Sequence, residues 1–341
     1  MPPLIETRNV TKVYGQGKAS TVALDHFTYA IEDGVSSITA VAGESGSGKS
    51  TLARLLLGFT APTSGEVRYR GMDLRNLSRR DRQLYRREIQ AIFQDPFAVY
   101  NPFYKVDHLL STPLKNFGLA HSRDEGRQQI AAALETVGLN PTEVLGRYPH
   151  QLSGGQRQRI TIARALLLKP RLIVADEPVS MVDASLRATI LESLLTLKRE
   201  FGISFVYITH DLTTAYQVAD RLIVLYQGGV SEAGAVQSVV RDPQHPYTQL
   251  LVRSIPSTDP DQGWIGETVS MAESGEAKVT AGCRFAPRCP HAMPMCKTSP
   301  PPLYMSRGAA VSCFLYRDQP VVASGDITNV LAETAKAVAL P

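Results

Sequence analysis

The stretch that most constrains this chain is GESGSGKST at residues 43–51. SITAVA before it is small, β-branched or apolar and predicts a buried strand, and LARLLLG after it predicts a helix that ends at Gly58. A strand, a glycine-rich loop and a helix in this order are the context of a P-loop. Gly43, Gly46 and Gly48 permit backbone angles that side chains forbid. Successive N–H groups and the positive end of the helix dipole can then face phosphate oxygens.

Individual residues of this loop have predicted roles in holding a nucleoside triphosphate. Lys49 is expected to reach the β- and γ-phosphates, Ser50 to bind Mg²⁺ through its hydroxyl, and Thr51 to bond the α/β region. The predicted nucleotide-binding residues of the loop are Gly43, Glu44, Ser45, Gly46, Ser47, Gly48, Lys49, Ser50 and Thr51. The P-loop does not identify the class of enzyme, because GTPases, kinases, helicases and transport ATPases all use it.

Size and composition are those of an ordinary soluble protein of more than one domain: 341 residues, 43% hydrophobic and 20% charged. No run reaches the roughly 18 apolar residues of a membrane helix, and MPPLIETRNV lacks a signal-peptide pattern. We therefore expect the chain to stay in the cytosol unless it docks elsewhere. The net charge of +4 does not imply nucleic acid. Eight arginines in residues 68–90 predict a solvated face, to which we assign no chemistry.

Further motifs follow the P-loop in a fixed order. LSGGQ precedes a predicted helix, and RLIVADEP is an apolar strand that ends in paired carboxylates. FQDP, SMVD and ITHD contribute Gln94, Asp183 and His210, and KVYG contributes Tyr14. Over roughly residues 4–255, this set resembles the motifs of ABC transporter ATPases. SMVD stands where that family usually has Ser-Ala-Leu-Asp, and because the carboxylate is retained we infer no loss of function.

The resemblance implies an α/β fold, namely an ABC-type P-loop ATPase with a RecA-like core, an antiparallel β subdomain and a helical subdomain. The implied ATPase domain is 1–255, with the helical subdomain at about 97–165. A small cysteine-rich extension would follow, and the predicted boundaries are a linker at 256–280, a four-cysteine region at 281–318 and a tail at 319–341. The tail resembles nothing that we can name, although ITNVLAETAKAVAL could form a short helix starting near Asp326 or Thr328.

The resemblance also assigns roles at the ATP site. Asp176, Ser50 and Gln94 would hold Mg²⁺, and Glu177 would orient the attacking water as the catalytic base. His210 would contact the γ-phosphate, and Tyr14 would stack on adenine. Asp176 and His210 each end an apolar predicted strand, at the edge where ligands of open α/β sheets bind.

A second phosphate-binding turn lies at the start of another helix. This turn is LSGGQ, the signature loop of the family. By resemblance, it closes over ATP held by a second ATPase subunit, and the loop of Asp183 crosses the same interface. The residues of the signature loop are Leu152, Ser153, Gly154, Gly155 and Gln156.

Aromatic residues between the glutamine and the signature loop have two interpretations. The family places a helical subdomain here, and its face docks a coupling helix of the membrane subunits. Phe97, Tyr100, Phe103 and Tyr104 suit such a docking surface, but they could equally form the small core of the subdomain.

All the cysteines of the chain lie near its C-terminus, at Cys283, Cys289, Cys296 and Cys313. Disulfides fit a cytosolic chain poorly, and gaps of 5, 6 and 16 residues fit the close pairs of a zinc site poorly. Four thiolates can instead hold an iron–sulfur cluster. Peptide-importer ATPases similar to this chain include members with such a tail and a bound [4Fe–4S] cluster. We therefore favour a cluster, with Zn²⁺ as the alternative, over four buried thiols without metal, because a segment with so small a core needs a covalent or metal cross-link.

The segment DPQHPYTQLLVRSIP resembles a marker of oligopeptide and dipeptide importer ATPases. The resemblance implies an ATPase that powers import, peripheral at the cytoplasmic face of the membrane. Its partners would be a second ATPase subunit, which we expect to be a paralogue in a heterodimer, two membrane permease subunits and, indirectly, a solute-binding protein. Alternatives are a non-transport ABC ATPase and an ATPase regulated by a redox- or iron-sensing cysteine site. Peptide is the default substrate of this subfamily, which also carries nickel complexes, opines and some sugars.

Overall fold

The computed structural model describes residues 2–95, 97, 99–255 and 281–332, so the predicted linker at 256–280 lies outside the described residues. The strands are β1 (Ile5–Tyr14), β2 (Thr21–Ile31), β3 (Ile38–Ala42), β4 (Ser64–Tyr69), β5 (Met72–Asp73), β6 (Ile89–Ile92), β7 (Leu172–Asp176), β8 (Ser204–Thr209), β9 (Arg221–Tyr226), β10 (Gly229–Ala235), β11 (Tyr304–Ser306) and β12 (Ala309–Val311).

The helices surround and connect these strands. They are α1 (Lys49–Leu56), α2 (Arg79–Glu88), α3 (Val106–Phe117), α4 (Arg123–Thr136), α5 (Pro141–Val144), α6 (Gly154–Leu166), α7 (Ala184–Phe201), α8 (Leu212–Val218), α9 (Val236–Arg241), α10 (Pro246–Arg253) and α11 (Pro294–Thr298). Within the described ranges, none of them combines the length and the apolar character that crossing a bilayer requires.

The strands form two sheets. One is antiparallel with the order β2-β1-β4-β5, and the other has the order β11-β12-β10-β9-β3-β8-β7-β6. In the second sheet, β3, β6, β7, β8 and β9 pair in parallel. Strands β3, β8 and β9 are buried along their whole length, which explains their continuous apolar sequences. This is the α/β architecture expected from the P-loop and its flanking elements.

Helices α3 to α6 follow β6 and precede β7 in the chain, and they pack against one another. The aromatic residues before α3 divide between the two interpretations given above. Phe97, Phe103 and Tyr104 are exposed, whereas Tyr100 packs against the core. The hydroxyl of Tyr100 donates a hydrogen bond of 2.8 Å to the carbonyl oxygen of Arg157. Three of the four side chains are therefore exposed, as the docking interpretation requires, and Tyr100 fits the core interpretation.

The C-terminal extension continues the core sheet. Strand β12 pairs antiparallel with β10, and Glu232 lies opposite Val311. Residues 328–332 are helical, and the Asp326 carboxylate accepts a hydrogen bond from the backbone N–H of Thr328 at this helix start. Ile327 is fully buried beside β2, so the first part of the predicted tail packs on the domain. Residues 333–341 lie outside the described residues.

A buried carboxylate anchors the segment that begins α10. Glu232 on β10 accepts hydrogen bonds from the backbone N–H groups of Gln244 (3.1 Å) and His245 (2.9 Å). Burial raises the pKa of Glu232 to about 7, although these hydrogen bonds act in the opposite direction. Burial also lowers the pKa of His245 to about 4, so the imidazole is neutral at physiological pH. The His-Pro-Tyr segment is thus fixed to the sheet by its backbone.

The raised pKa of Glu232 predicts a pH dependence of stability. The folded pKa is about 7 against 4.5 for an ordinary carboxyl, so the folded state binds the proton more tightly. The stability contributed by protonated Glu232 is present in full below the pKa that this carboxyl has in the unfolded state. It is lost as the pH rises through the pKa that the carboxyl has in the folded state. Relative to Glu232→Gln, the wild type should lose on the order of 2–3 kcal/mol of unfolding free energy from about pH 5 to about pH 8. Urea denaturation of both proteins at both pH values measures this, and a constant difference would contradict the raised pKa.

Packing of the C-terminal segment predicts a loss of stability on truncating Ile327. Ile327→Ala removes a fully buried side chain and should lower the free energy of unfolding by about 2–4 kcal/mol. Leu315→Ala is the control, because Leu315 belongs to the same extension but is 46% exposed, and it should change stability by less than about 0.5 kcal/mol. Thermal denaturation compares the two variants. Equal melting temperatures would show that the segment contributes nothing to the domain.

Candidate functional site

A cleft of about 710 Å³ lies at the edge where β3, β7 and β8 end. Parallel strands present their carboxyl ends at one edge, where ligands of open α/β sheets bind. The residues that line the cleft are Tyr14, Ala23, Ser45, Gly46, Gly48, Lys49, Ser50, Thr51, Gln94, Glu177 and His210. The fold thus gathers most of the predicted ATP-site residues from both sheets and from four separate loops.

The shape of the P-loop depends on two glycines. Gly43 has φ 151°, and a Cβ there would lie 2.2 Å from the carbonyl oxygen of Leu225. Gly48 has φ 108°, and a Cβ there would lie 2.3 Å from the carbonyl oxygen of Ala23. Both backbones approach neighbouring chain too closely for any side chain, so the loop can turn tightly only with glycine at these positions.

The amine of Lys49 is hydrogen-bonded to backbone carbonyl groups of the P-loop. Its Nζ donates hydrogen bonds to the carbonyl oxygens of Gly43 (2.7 Å) and Glu44 (2.8 Å). Burial lowers the pKa of Lys49, and the charges of Glu177, Asp176 and Glu44 oppose this shift. A cation fixed in this position can exchange backbone carbonyls for phosphate oxygens without a large movement.

Glu177 is the centre of a small polar network. Gln94 Nε2 donates to one carboxylate oxygen of Glu177 at 2.9 Å, and His210 Nδ1 lies 2.9 Å from the other. Glu177 has φ +46°, a conformation that costs a residue with a side chain energy and that is found at functional sites. Its backbone N–H donates to the carbonyl oxygen of Ile208. The carboxylate is therefore aimed into the cleft and held from both sides.

Asp176 lies one residue before Glu177 and behind it. Burial is the main cause that raises the pKa of Asp176, with the charge of Glu177 next, and a hydrogen bond from the Ser50 hydroxyl opposes them. Together with Gln94, these side chains supply oxygen donors of the kind that Mg²⁺ prefers. The donor set at this end of the cleft therefore fits the predicted magnesium site.

The remaining predicted nucleotide-binding residues fall into two groups. Tyr14 is 39% exposed at the cleft, with the ammonium of Lys12 5.1 Å from the centre of its ring. Gly43, Glu44 and Ser47 lie in the loop but are not among the residues that line the cleft. Their contribution is to the shape of the loop.

The signature loop lies elsewhere on the molecule. Ser153 caps α6: its hydroxyl accepts from the N–H of Gln156 (3.2 Å), and the Gln156 side chain accepts from the N–H of Ser153 (3.0 Å). Gly155 contacts α7, where a Cβ would lie 2.6 Å from Leu186. Asp183 occupies the N-cap of α7. Of the described residues that line the cleft, none comes from residues 152–156 or is Asp183.

The four cysteines come together in the fold as free thiols. The backbone N–H of Cys283 donates to the carbonyl oxygen of Cys296 at 2.7 Å. Burial raises the pKa of Cys313 to about 11, and the charges of Cys289, Cys283 and Cys296 add to that rise. Within residues 2–95, 97, 99–255 and 281–332, however, no three His, Cys, Asp or Glu side chains are placed so that they could share one metal ion. The thiols thus form one patch whose side chains do not converge on a single point.

Two contacts to the P-loop were missing from the sequence interpretation. The guanidinium of Arg288 pairs with both carboxylate oxygens of Glu44, and the hydroxyl of Tyr247 accepts a hydrogen bond from the N–H of Glu44. No local pattern marks the first contact, because 244 positions separate its partners. The His-Pro-Tyr marker named the residue of the second contact without indicating its partner.

Known protein families match two parts of the chain. The family described as ABC transporter matches residues 25–180. The family described as Oligopeptide/dipeptide transporter, C-terminal region, matches residues 231–296, which include Tyr247, Arg288 and three of the cysteines.

Individual proteins are similar over nearly the whole chain. The putative oligopeptide transport ATP-binding protein YkfD of Bacillus subtilis (strain 168) is 40% identical over 320 residues, covering 93% of this chain and 96% of that protein. The oligopeptide transport ATP-binding protein OppF of Escherichia coli (strain K12) is 38% identical over 311 residues, covering 90% and 92%. A solved dimeric post-hydrolysis state of the ATP-binding cassette MJ0796, bound to ADP and Pi, matches with TM-score 0.61 and 31% identity over 68% of this chain and 98% of that one.

Proposed function

This chain belongs to the ABC transporter ATPases of the oligopeptide/dipeptide type, and on that premise we propose that it hydrolyses ATP to power import of peptides or related small solutes. The observation that carries the proposal is the network of Gln94, Glu177 and His210 in the same cleft as Lys49. It combines a phosphate-binding loop with a carboxylate aimed at the position of a γ-phosphate.

Nucleotide binding uses the loop and the residues around it. The phosphates lie along the N–H groups of residues 45–51, and Lys49 exchanges its two carbonyl partners for β- and γ-phosphate oxygens. Ser50, Asp176 and Gln94 would hold Mg²⁺, which neutralises charge on those oxygens when it is bound. Tyr14 offers an exposed ring for adenine.

Hydrolysis depends on Glu177. Its carboxylate accepts a proton from water as the water oxygen attacks the γ-phosphorus. The bond between phosphorus and the ADP oxygen breaks, and that oxygen leaves with the electron pair. His210 and Gln94 hold the two carboxylate oxygens and thereby fix the direction of the base. His210 also lines the cleft, where it can contact the γ-phosphate.

A second ATPase subunit completes the site in this proposal. The signature loop and Asp183 lie away from their own cleft, and the similar cassette MJ0796 was solved as a dimer. We expect the partner to be a paralogue, and we expect no nucleic acid. Phe97, Phe103 and Tyr104 form an exposed aromatic surface that suits docking on two membrane permeases. The chain would lie peripherally at the cytoplasmic membrane face, with a solute-binding protein as an indirect partner.

The division of the chain also belongs to the proposal. The ATPase domain is residues 1–255 with a helical subdomain at about 97–165, followed by a linker, the four-cysteine region at 281–318 and the tail. A cassette fold of this kind accounts for the two sheets and for the layer of α3 to α6.

For Cys283, Cys289, Cys296 and Cys313 we propose a [4Fe–4S] cluster. A single zinc ion needs all its sulfur ligands about 2.3 Å from one point and usually takes them from close pairs, whereas these cysteines are separated by gaps of 5, 6 and 16 residues. In a four-iron cluster each thiolate binds a different iron, so the sulfurs stand farther apart. After burial, the other cysteines contribute to the raised pKa of Cys313 and of Cys289, which places the thiols near one another.

The role of Glu177 predicts a separation of binding from turnover. Glu177→Gln keeps the size of the side chain but cannot accept the proton of water. We expect ATP turnover to fall by about 10²–10⁴-fold, while ATP binding persists. Steady-state phosphate release and equilibrium binding measure the two quantities. Glu192→Gln, an exposed change on α7, is the matched control and should leave both unchanged. Normal turnover in Glu177→Gln would remove Glu177 from the mechanism.

The cysteine proposal predicts the metal content of the protein. Anaerobically purified wild type should be brown, with about four irons and four sulfides per chain, as a [4Fe–4S] cluster requires. Cys289→Ser should lose this iron and show a lower melting temperature, because one ligand is missing. A colourless wild type with one zinc would favour the alternative of a zinc site. Metal content and stability that do not change in Cys289→Ser would refute a four-cysteine site.

A further inference from the structure

The P-loop and the cysteine region meet at one residue, Glu44. Arg288 Nη1 and Nη2 lie 3.0 and 3.1 Å from the two carboxylate oxygens of Glu44. Tyr247 accepts from the backbone N–H of Glu44 at 2.8 Å, and Lys49 donates to its carbonyl oxygen at 2.8 Å. The side chain, the N–H and the carbonyl of this loop residue are therefore all held, two of them by residues beyond position 245.

Arg288 is pre-oriented for this contact by aromatic side chains. Its guanidinium lies 5.6 Å from the ring centre of Phe285 and 5.9 Å from that of Tyr226. Phe285 is buried and packs against Tyr226 and Tyr247, so the residues that hold Glu44 share one apolar cluster. A planar guanidinium fork fixed in this way matches a carboxylate in two-point geometry, which a lysine ammonium would not.

The charge of Glu44 explains why such a clamp matters. Burial lowers the pKa of Lys49, and the nearby carboxylate of Glu44 is one of the charges that oppose this shift. Without a partner, this negative charge would compete with phosphate for Lys49 and would repel the phosphate itself. Arg288 neutralises the carboxylate and holds it outside the residues that line the cleft. Tyr247 meanwhile fixes the N–H of Glu44, so the start of the loop keeps one direction.

We propose that Arg288 and Tyr247 are positioning residues for nucleotide binding, through which the cysteine region and the His-Pro-Tyr segment hold the P-loop in its phosphate-binding shape. The inference rests on the proposed function, since it presupposes that this cleft binds ATP and ADP. Arg288 directly precedes Cys289, so whatever orders that cysteine also orders the clamp. Coupling between two sites is reciprocal, so bound nucleotide in turn stabilises the cysteine region.

The test is the affinity for Mg–ADP, measured by titration calorimetry on the full-length protein as purified. Arg288→Gln should weaken ADP binding about fivefold, equivalent to about 1 kcal/mol, because Glu44 keeps its charge and loses its partner. The effect is modest because the pair is partly exposed to solvent. Arg288→Gln with Glu44→Gln should bind ADP as well as Glu44→Gln alone, because the charge that Arg288 neutralises is then absent. The loss in Arg288→Gln should shrink at about 1 M salt.

Two further variants separate positioning from general stability. Arg307→Gln breaks another ion pair of the extension, with Asp242 at 2.8 Å, and should leave ADP affinity unchanged. Tyr247→Phe removes the acceptor for the Glu44 N–H and should weaken ADP binding about threefold to tenfold, the range expected for one lost hydrogen bond.

The outcomes distinguish the inference from the function on which it rests. No ADP binding by the wild type would refute the proposed function itself. Wild-type affinity in both Arg288→Gln and Tyr247→Phe would overturn the inference and leave the ATPase proposal intact. If Arg288→Gln binds weakly only because it is misfolded, adding Glu44→Gln will not restore affinity, and that result also overturns the inference. Restoration by Glu44→Gln supports it.

Discussion

The parallel alignment of β3, β7 and β8 is the constraint on which the rest of the molecule depends. Ala42 lies opposite Thr209, and Asp176 lies opposite Ile208, so the three strands end almost level. The P-loop, the paired carboxylates and His210 then leave the sheet at one edge. Apolar burial of these strands fixes the register, because a shift would expose core residues. The geometry of the proposed catalytic site is therefore a consequence of how hydrophobic strands pack.

Local sequence patterns predicted the parts of the site that are themselves local. The P-loop, the carboxylates at the end of β7 and the histidine after β8 each follow from a strand and the residues after it. The bonds that join Gln94 and His210 to Glu177, and the positive φ of Glu177, depend on three loops brought together by the sheet. The pairing of β12 with β10 links segments about eighty residues apart in sequence. Such long-range pairing has no local signal that a sequence interpretation could use.

The four cysteines lie in the fold as free thiols that are buried or partly buried. Burial raises the pKa of Cys283, Cys289 and Cys313, so in the metal-free protein these thiols keep their protons at neutral pH. Binding of the proposed cluster would displace those protons, so its affinity would rise with pH and would be coupled to the order of the segment. The short elements around the thiols, Ala286–Arg288 and Pro294–Thr298, have too small a core to hold that order alone.

The extension supports the P-loop by a second route that does not pass through Glu44. Arg284 pairs with Asp25 on β2 and donates to the carbonyl oxygen of Gln227, in the turn between β9 and β10. Gly228, the next residue in that turn, donates its N–H to the carbonyl oxygen of Ser47 in the P-loop, at 2.9 Å. Arg284 and Arg288 therefore stabilise the P-loop from one short segment, Arg288 through Glu44 and Arg284 through the turn between β9 and β10. The hydrogen bond to Ser47 joins two backbone groups, so no side-chain substitution removes it. Loss of order in the cysteine region would break the contacts of both arginines, whereas loss of the Arg288 side chain would break only those to Glu44. Disorder of the cysteine region would therefore disturb the P-loop more than the loss of any single side chain of the extension.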